Sequence, residues 1–149
     1  MNGHTIALPD FEGIPPFPVE VDDEYITNES IQSQPSGKLS FMTGFIVISR
    51  IFQILSQTIM RQRTLRINPS AGPDRAALLQ WIDDTTLQLR GLMDDLPEKL
   101  RHDHAADDLL GDRGVHSLYA TQQANIQITA LCLELCLVSQ QYQLLARPC

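Results

Sequence analysis

The chain of 149 residues has few cysteines, no long apolar run and no Lys or Arg in its first quarter. Its three cysteines, Cys132, Cys136 and Cys149, are too few for a disulfide-dense scaffold. No run of about 18 apolar residues occurs, so we expect no membrane span. Residues 1–10 lack a basic region followed by an apolar run, so we expect no secretory signal. These absences favour a reduced intracellular setting.

Motifs typical of enzymes are also absent. The sequence contains no Gly-rich phosphate loop, no Ser nucleophile elbow and no His-Glu-x-x-His zinc motif. The acidic pairs Asp83-Asp84 and Asp94-Asp95 fall in a predicted helix, where they are typical of a solvated face. We therefore predict that the chain is not an enzyme, and we assign no catalytic, cofactor-binding or metal-binding residue.

The net charge of −7 arises entirely from residues 1–37. This segment contains seven acidic residues and no Lys or Arg, whereas residues 38–149 contain eleven of each sign. The balance disfavours direct binding to nucleic acid.

The segment of residues 1–37 also holds five of the nine prolines, so it is predicted to be an extended acidic arm. We expect its apolar side chains to pack in grooves of a helical body; docking of the arm on a partner is the alternative. Those side chains are Leu8, Phe11, Ile14, Phe17, Val19, Val21 and Tyr25.

Apolar spacing predicts two helices, at about residues 40–66 and 74–96. Ser40 or Ser36 is expected to cap the first helix, and Pro73 suits the first turn of the second. The predicted stripe of the first helix is Phe41, Phe45, Ile48, Phe52, Leu55 and Ile59, widened by Val47, Ile51 and Ile54. The stripe of the second is Leu79, Ile82, Thr86, Leu89, Met93 and Leu96, flanked by Leu78, Trp81 and Leu92.

A third helix is predicted at about residues 116–146, after a polar loop at 101–115. Because it is apolar nearly all round, we expect it to be central in a packed body. One face carries Tyr119, Gln123, Ile126, Ala130, Leu133 and Leu137. The other carries Ala124, Ile128, Leu131, Leu135, Val138, Tyr142 and Leu145. The fold class is therefore all-α, with a helical body over residues 38–149 behind the arm at 1–37.

Three groups of side chains are candidate sites. The first is the loop cluster His102, Asp103, His104, Asp107 and Asp108, which has the chemistry of metal ligands. A metal-binding protein using His102 and His104 is thus one alternative, but a flexible loop does not orient these ligands. The second group, Cys132 and Cys136, is predicted to be buried as small apolar side chains. The third group, Arg61, Arg63 and Arg66, is predicted to be solvated charge at a helix end rather than an import or phosphate-binding signal.

Four segments, in this order, resemble parts of fungal-specific transcription factors. They are Leu-Pro-Asp-Phe-Glu-Gly-Ile-Pro-Pro-Phe-Pro-Val-Glu-Val-Asp-Asp-Glu-Tyr-Ile (8–26), Leu-Ser-Phe-Met-Thr-Gly-Phe-Ile-Val-Ile-Ser-Arg-Ile-Phe (39–52), Leu-Met-Asp-Asp-Leu-Pro-Glu-Lys-Leu-Arg (92–101) and Gln-Gln-Ala-Asn-Ile-Gln-Ile-Thr-Ala-Leu-Cys-Leu-Glu-Leu (122–135). Together they resemble the middle regulatory domain of the binuclear zinc-cluster activators, over roughly residues 8–146.

The resemblance implies an all-helical regulatory region that acts in the nucleus through protein–protein or effector contacts. The chain also departs from the pattern of this family. No cysteine precedes Cys132, so the six-cysteine DNA-binding cluster cannot be present. The front helices of the domain are also expected to be missing. We therefore expect no direct DNA binding, no membrane contact and no cofactor. The alternative is a stand-alone interaction module or a truncated remnant, whose exposed apolar surface would drive association with itself or with a protein partner.

Overall fold

The computed structural model describes residues 16–67, 74–101 and 113–146, with the backbone alone for 113–117. Three helices make up the fold: α1 spans Phe41–Ile67, α2 spans Arg75–Asp94 and α3 spans Arg113–Ala146. Single 3-10 turns lie at Asp23–Tyr25 and Glu98–Leu100. The predicted all-α class is confirmed, and within the described ranges the β-structure is one isolated bridge, between Ile26 and Ile31. The predicted loop at 101–115 is too long, because α3 already begins at Arg113.

The helix ends follow from local hydrogen bonding. The Ser40 hydroxyl accepts the Met42 N–H at 3.1 Å, which confirms Ser40 as a cap of α1. Asp74 caps α2 by accepting the Ala77 N–H at 2.7 Å, so α2 begins after Asp74; Pro73 lies outside the described residues. At the other end of α2, the Arg101 guanidinium donates to the carbonyls of Leu96 and Asp94. Asp94 is the last residue of α2 and its carbonyl has no N–H partner within the helix, so Arg101 satisfies this end of α2.

Helix α3 is the centre of the bundle, since both α1 and α2 pack on it. The side of α3 toward α1 and α2, which we call the inner face, is almost completely buried, as predicted for one of the two apolar faces. Its buried residues are Ile126, Ala130, Leu133 and Leu137, together with the polar Thr129 and Gln140. Leu78, Ile82, Leu89 and Leu96 contribute the α2 side of the core, close to the predicted stripe. The body is therefore built around one side of α3.

The prediction for α1 was partly wrong: Ile48 and Leu55 of the stripe are half-buried against the core, but the deepest burial lies on the residues expected to widen it. Its buried residues are Thr43, Gly44, Ile46, Val47, Ile51, Ile54 and Thr58. Phe45 and Phe52, both placed in the predicted stripe, are 53% and 54% exposed. The residues expected only to widen the stripe thus form its centre. The pattern misled because aromatic side chains also occupy the adjacent face of α1, and periodicity alone cannot tell which of two neighbouring apolar faces meets a partner helix.

Gly44 allows α1 and α3 to approach each other closely. A Cβ atom on Gly44 would lie 2.6 Å from Cδ and 3.1 Å from Cβ of Gln122 on α3. The Gln122 side chain occupies this space because its amide donates to the Phe41 carbonyl at 2.7 Å. Nearby, the Tyr119 hydroxyl donates to the Leu39 carbonyl and its ring stacks on Phe41 with centroids 4.9 Å apart. Gly44 therefore marks the point where α3 is held against the start of α1.

We predict opposite effects for the same substitution at two helical glycines. A Cβ atom added at Gly91 would meet no neighbouring group within 4 Å, so Gly91→Ala should raise the free energy of unfolding by about 0.5–1 kcal/mol through helix propensity. Gly44→Ala must displace Gln122 from its hydrogen bond, so it should lower the free energy of unfolding by about 1 kcal/mol. Urea denaturation of both variants checks this. Equal stabilisation by both would contradict the close approach at Gly44.

The described part of the arm, residues 16–37, is attached to the body by polar contacts as well as by apolar ones, so the expected packing of apolar side chains is found only in part. Among its described apolar residues Val21 is buried, whereas Phe17 and Val19 are exposed. The Phe17 ring lies under the Arg50 guanidinium, 5.5 Å from its centroid. Leu8, Phe11 and Ile14 lie outside the described residues. A row of apolar side chains in grooves is therefore not enough to hold the described part of the arm, and polar contacts must contribute.

Asp22 provides this attachment. Its side chain is buried, and one carboxylate oxygen accepts the Ser40 hydroxyl at 2.9 Å and the Phe41 N–H at 2.8 Å. The other oxygen accepts the Gln34 amide at 2.9 Å, while the Asp22 N–H donates to Gln34 Oε1 at 3.0 Å. Lys38 Nζ lies 3.7 Å away. Asp22 therefore joins the arm to the start of α1, where a negative charge also suits the helix dipole.

The surroundings of Asp22 favour its charged form. Burial by itself raises the pKa of the carboxyl, but the hydrogen bonds from Gln34, Phe41 and Ser40 and the charge of Lys38 outweigh it, and the pKa lies below its usual value. Because the pKa is lower in the folded state than in the unfolded chain, the contribution of Asp22 to stability is present above the unfolded pKa. It is lost as the pH falls through the folded pKa.

We predict that Asp22→Asn lowers the free energy of unfolding by about 1–2 kcal/mol at neutral pH, because its amide would face another donor at Gln34. The difference in the free energy of unfolding between the variant and the unmodified chain should decrease as the pH falls below about 4. Chemical denaturation at several pH values measures it, with the exposed neighbour Asp23→Asn as the control. A gap that stays constant down to low pH would show that the charge of Asp22 is not responsible.

Candidate protein-interaction surface

The side of α3 that faces away from the bundle is apolar and is left uncovered by the residues that the structure describes. We call the outer face the set Ala124, Ile128, Leu131, Leu135, Val138, Tyr142 and Leu145. Its six large side chains are 56–73% exposed. Full burial of one such side chain stabilises a protein by roughly 1.5–3 kcal/mol, so much of the apolar surface of α3 contributes nothing within this fold. Helix α3 is central in the bundle, as expected, but the residues that the structure describes leave this face of it uncovered.

The two faces of α3 are on opposite sides of the helix. Successive residues turn by about 100°, so Leu133, at the centre of the inner face, points away from Leu131 and Leu135. Leu133 is completely buried. The bundle of α1 and α2 thus leaves access to the outer face, and a partner could approach it without displacing either helix.

The outer face is also nearly free of charge. Between Leu118 and Ala146 the only charged residue is Glu134, and no Lys or Arg occurs. The flanking positions carry neutral polar side chains, among them Asn125, Gln127 and Gln141. Large contiguous apolar patches of this kind are uncommon on monomeric soluble proteins and are typical of interaction sites.

A groove between α2 and α3 runs beside the outer face, with a volume of about 530 Å³. It is lined by Ile82, Asp83, Thr86, Leu87, Arg90, Glu134, Leu137, Val138 and Gln141. Val138 belongs to both surfaces, so the groove extends the outer face toward α2. Leu87 is exposed at its rim, and Asp83, Arg90 and Glu134 supply charges of both signs. Such a lining suits an amphipathic segment of protein better than a small polar substrate.

The candidate metal ligands His102, Asp103, His104, Asp107 and Asp108 lie outside the described residues. In the part of the chain that the structure describes, no group of three or more His, Cys, Asp or Glu side chains could hold a metal ion. The acidic pairs are not assembled into a site: Asp83 lines the groove, Asp84 accepts a hydrogen bond from Gln80, and Asp94 and Asp95 are exposed.

The cysteine prediction was partly wrong. Cys132 and Cys136 are free thiols, but Cys132 is exposed and Cys136 is half-buried. Both lie beside the outer face, and the prediction of burial failed because that face has no cover.

Among the arginines, Arg63 and Arg66 are exposed at the end of α1, as predicted. Arg61 is half-buried, with its guanidinium 4.5 Å from the centroid of the Trp81 ring, so it joins α1 to α2.

Helix α1 is long and apolar enough to cross a membrane, judged by length and composition alone. Its most apolar window of 18 residues has a mean hydropathy of 1.3, although Arg50 interrupts any continuous apolar run. The same helix supplies buried residues to the core, and core helices of soluble proteins have this composition. Part of its apolarity therefore has an explanation within the bundle, where 39% of that window is buried.

No protein-family model, no curated protein and no solved structure matches the chain. The resemblance to the fungal regulatory domain thus stays a prediction. The outer face, in contrast, is a property of the fold itself.

Proposed function

We propose that the chain is a non-DNA-binding regulatory region of a fungal transcription factor that acts through protein–protein contacts on the outer face of α3. The observation that carries the proposal is the uncovered outer face, with Leu135 and Tyr142 among its most exposed side chains. The resemblance of four ordered segments supplies the transcriptional context. A stand-alone interaction module would use the same surface, so both interpretations name the same residues.

The charge distribution supports a role without direct DNA contact. Binding to the phosphate backbone depends on Lys and Arg side chains. None lies between Leu118 and Ala146, and all seven units of excess negative charge arise from residues 1–37. The described basic residues are engaged in contacts within the chain at several positions: Lys38 pairs with Glu24 and Asp22, and Arg61 stacks on Trp81.

We therefore predict no sequence-specific DNA complex at physiological salt. A gel-shift assay of the purified chain against a random-sequence DNA pool, with selection and sequencing of any retained DNA, measures this. Enrichment of a defined sequence that resists moderate salt would contradict the proposal, since it would require a DNA-reading surface.

The regulatory role predicts an effect on transcription when the chain is brought to a promoter. The full chain is fused to an unrelated DNA-binding domain that is already a dimer, so that association by the chain does not alter promoter occupancy. Reporter expression in a fungal host should change severalfold relative to the DNA-binding domain alone. The double variant Leu131→Glu, Leu135→Glu should return expression to that baseline, because two carboxylates would have to be desolvated in the interface.

The matched control for this variant is Phe52→Glu. Phe52 is an equally exposed apolar side chain, but it lies on α1 rather than on the outer face. The control should keep the reporter effect, and immunoblotting should show equal amounts of each fusion. No effect of the unmodified chain, or equal effects of the chain and the double variant, would contradict the proposal.

A further inference from the structure

We infer that the outer face of α3 pairs with the outer face of a second copy of the chain, as a two-helix coiled coil. This inference rests on the proposed function, because it takes the outer face to be a protein-contact surface. It adds that the partner on this surface is a second copy of the chain. Three properties of the outer face support it: the spacing of its residues, the charges beside them and the area that they expose.

The spacing of the outer face is that of a heptad. Successive members of the set are separated by four, three, four, three, four and three residues from Ala124 to Leu145. This alternation averages 3.5 residues, the repeat with which two helices stay in contact along a left-handed supercoil. In heptad notation, Ile128, Leu135 and Tyr142 occupy the a positions. Ala124, Leu131, Val138 and Leu145 occupy the d positions.

A helical partner is favoured over a flat or irregular surface because the outer face is only one narrow seam. The a and d positions run for three heptads without a polar interruption. The residues of the inner face fall at the b, c and f positions, which point away from a coiled-coil partner; they include Thr129 (b), Leu137 (c) and Leu133 (f). Two copies can therefore pair along α3 with their bundles on opposite sides of the seam.

The charges beside the seam favour a like partner. The g positions are Gln127, Glu134 and Gln141, and the e positions include Cys132 and Ser139. In a parallel pair Glu134 would lie beside Ser139 of the second copy, and in the antiparallel register of greatest overlap beside Gln141. Neither arrangement places like charges together. A strongly charged partner would find no complementary charge, and an anionic membrane surface would find no Lys or Arg between Leu118 and Ala146.

The exposed area is sufficient for a stable pair. At roughly 200 Å² for a large side chain, the exposed fractions of the six large residues leave roughly 700–800 Å² on each chain. Stable protein–protein interfaces bury about 800 Å² per partner. The outer face of one chain therefore matches the outer face of another in size as well as in chemistry.

The test is the mass of the purified full chain, measured by size-exclusion chromatography with light scattering at increasing concentration. The expected result is twice 16.7 kDa, unchanged in high salt because the seam contains no ion pair. Leu131→Glu, Leu135→Glu should shift the mass to that of one chain with unchanged helical circular dichroism, and Phe52→Glu should remain paired. Should the double variant fail to fold, Leu135→Ala provides the milder truncation and should weaken pairing at least tenfold.

Crosslinking reports whether the seam itself is the contact. In a background with the three native cysteines replaced by Ser, L135C should form an intermolecular disulfide with itself if the pair is parallel. A mixture of L135C with V138C should form the mixed disulfide if the pair is antiparallel. Either product supports the inference. A chain that is monomeric at all concentrations, or a dimer that yields neither disulfide, overturns it. A monomer that retains the reporter effect would remove self-pairing alone and leave the proposed function standing.

Discussion

The structure depends on one constraint: α3 is apolar on two opposite sides, and the fold covers only one of them. The inner face, centred on Leu133, meets α1 and α2 and forms the core. The outer face, centred on Leu135, stays largely exposed within the described part of the chain. A helix with a single charge over 29 residues, Glu134, is costly to leave in water. The function that we propose follows from this asymmetry, because a protein partner would cover the second side of α3.

The rest of the chain positions α3 so that its outer face stays accessible. Gly44 brings α1 against Gln122 on the inner side, and the Tyr119 hydroxyl holds the start of α1 through Leu39. Asp22 then joins the acidic arm to the same end of α1. The described part of the arm, residues 16–37, is thus anchored at the start of α1. These contacts use polar groups in precise geometry, whereas the outer face offers only apolar area.

Helix number and approximate bounds could be predicted from the sequence, because periodic apolar residues and the caps Ser40 and Asp74 are local signals. The buried face of α2 could also be predicted, but the sequence did not show which apolar face of α1 or of α3 is buried. Phe45 and Phe52 belong to a clear stripe yet are exposed, since burial depends on where α3 crosses α1. The Asp22 contacts were also missed, because they join residues about 20 positions apart in a segment without periodicity. The heptad spacing from Ala124 to Leu145 was visible in the sequence, but it gained meaning only once that face was found uncovered.

The most direct test of one-sided burial and self-pairing is hydroxyl-radical footprinting of α3 in the full chain at low and high protein concentration. We expect the inner-face residues Leu133 and Leu137 to be protected at both concentrations. The outer-face residues Leu135 and Tyr142 should be oxidised in dilute solution and protected in concentrated solution. Equal oxidation of the outer face at both concentrations would contradict self-pairing. Protection of the outer face even at the lowest concentration, in a chain shown to be monomeric, would contradict the one-sided burial of α3 itself.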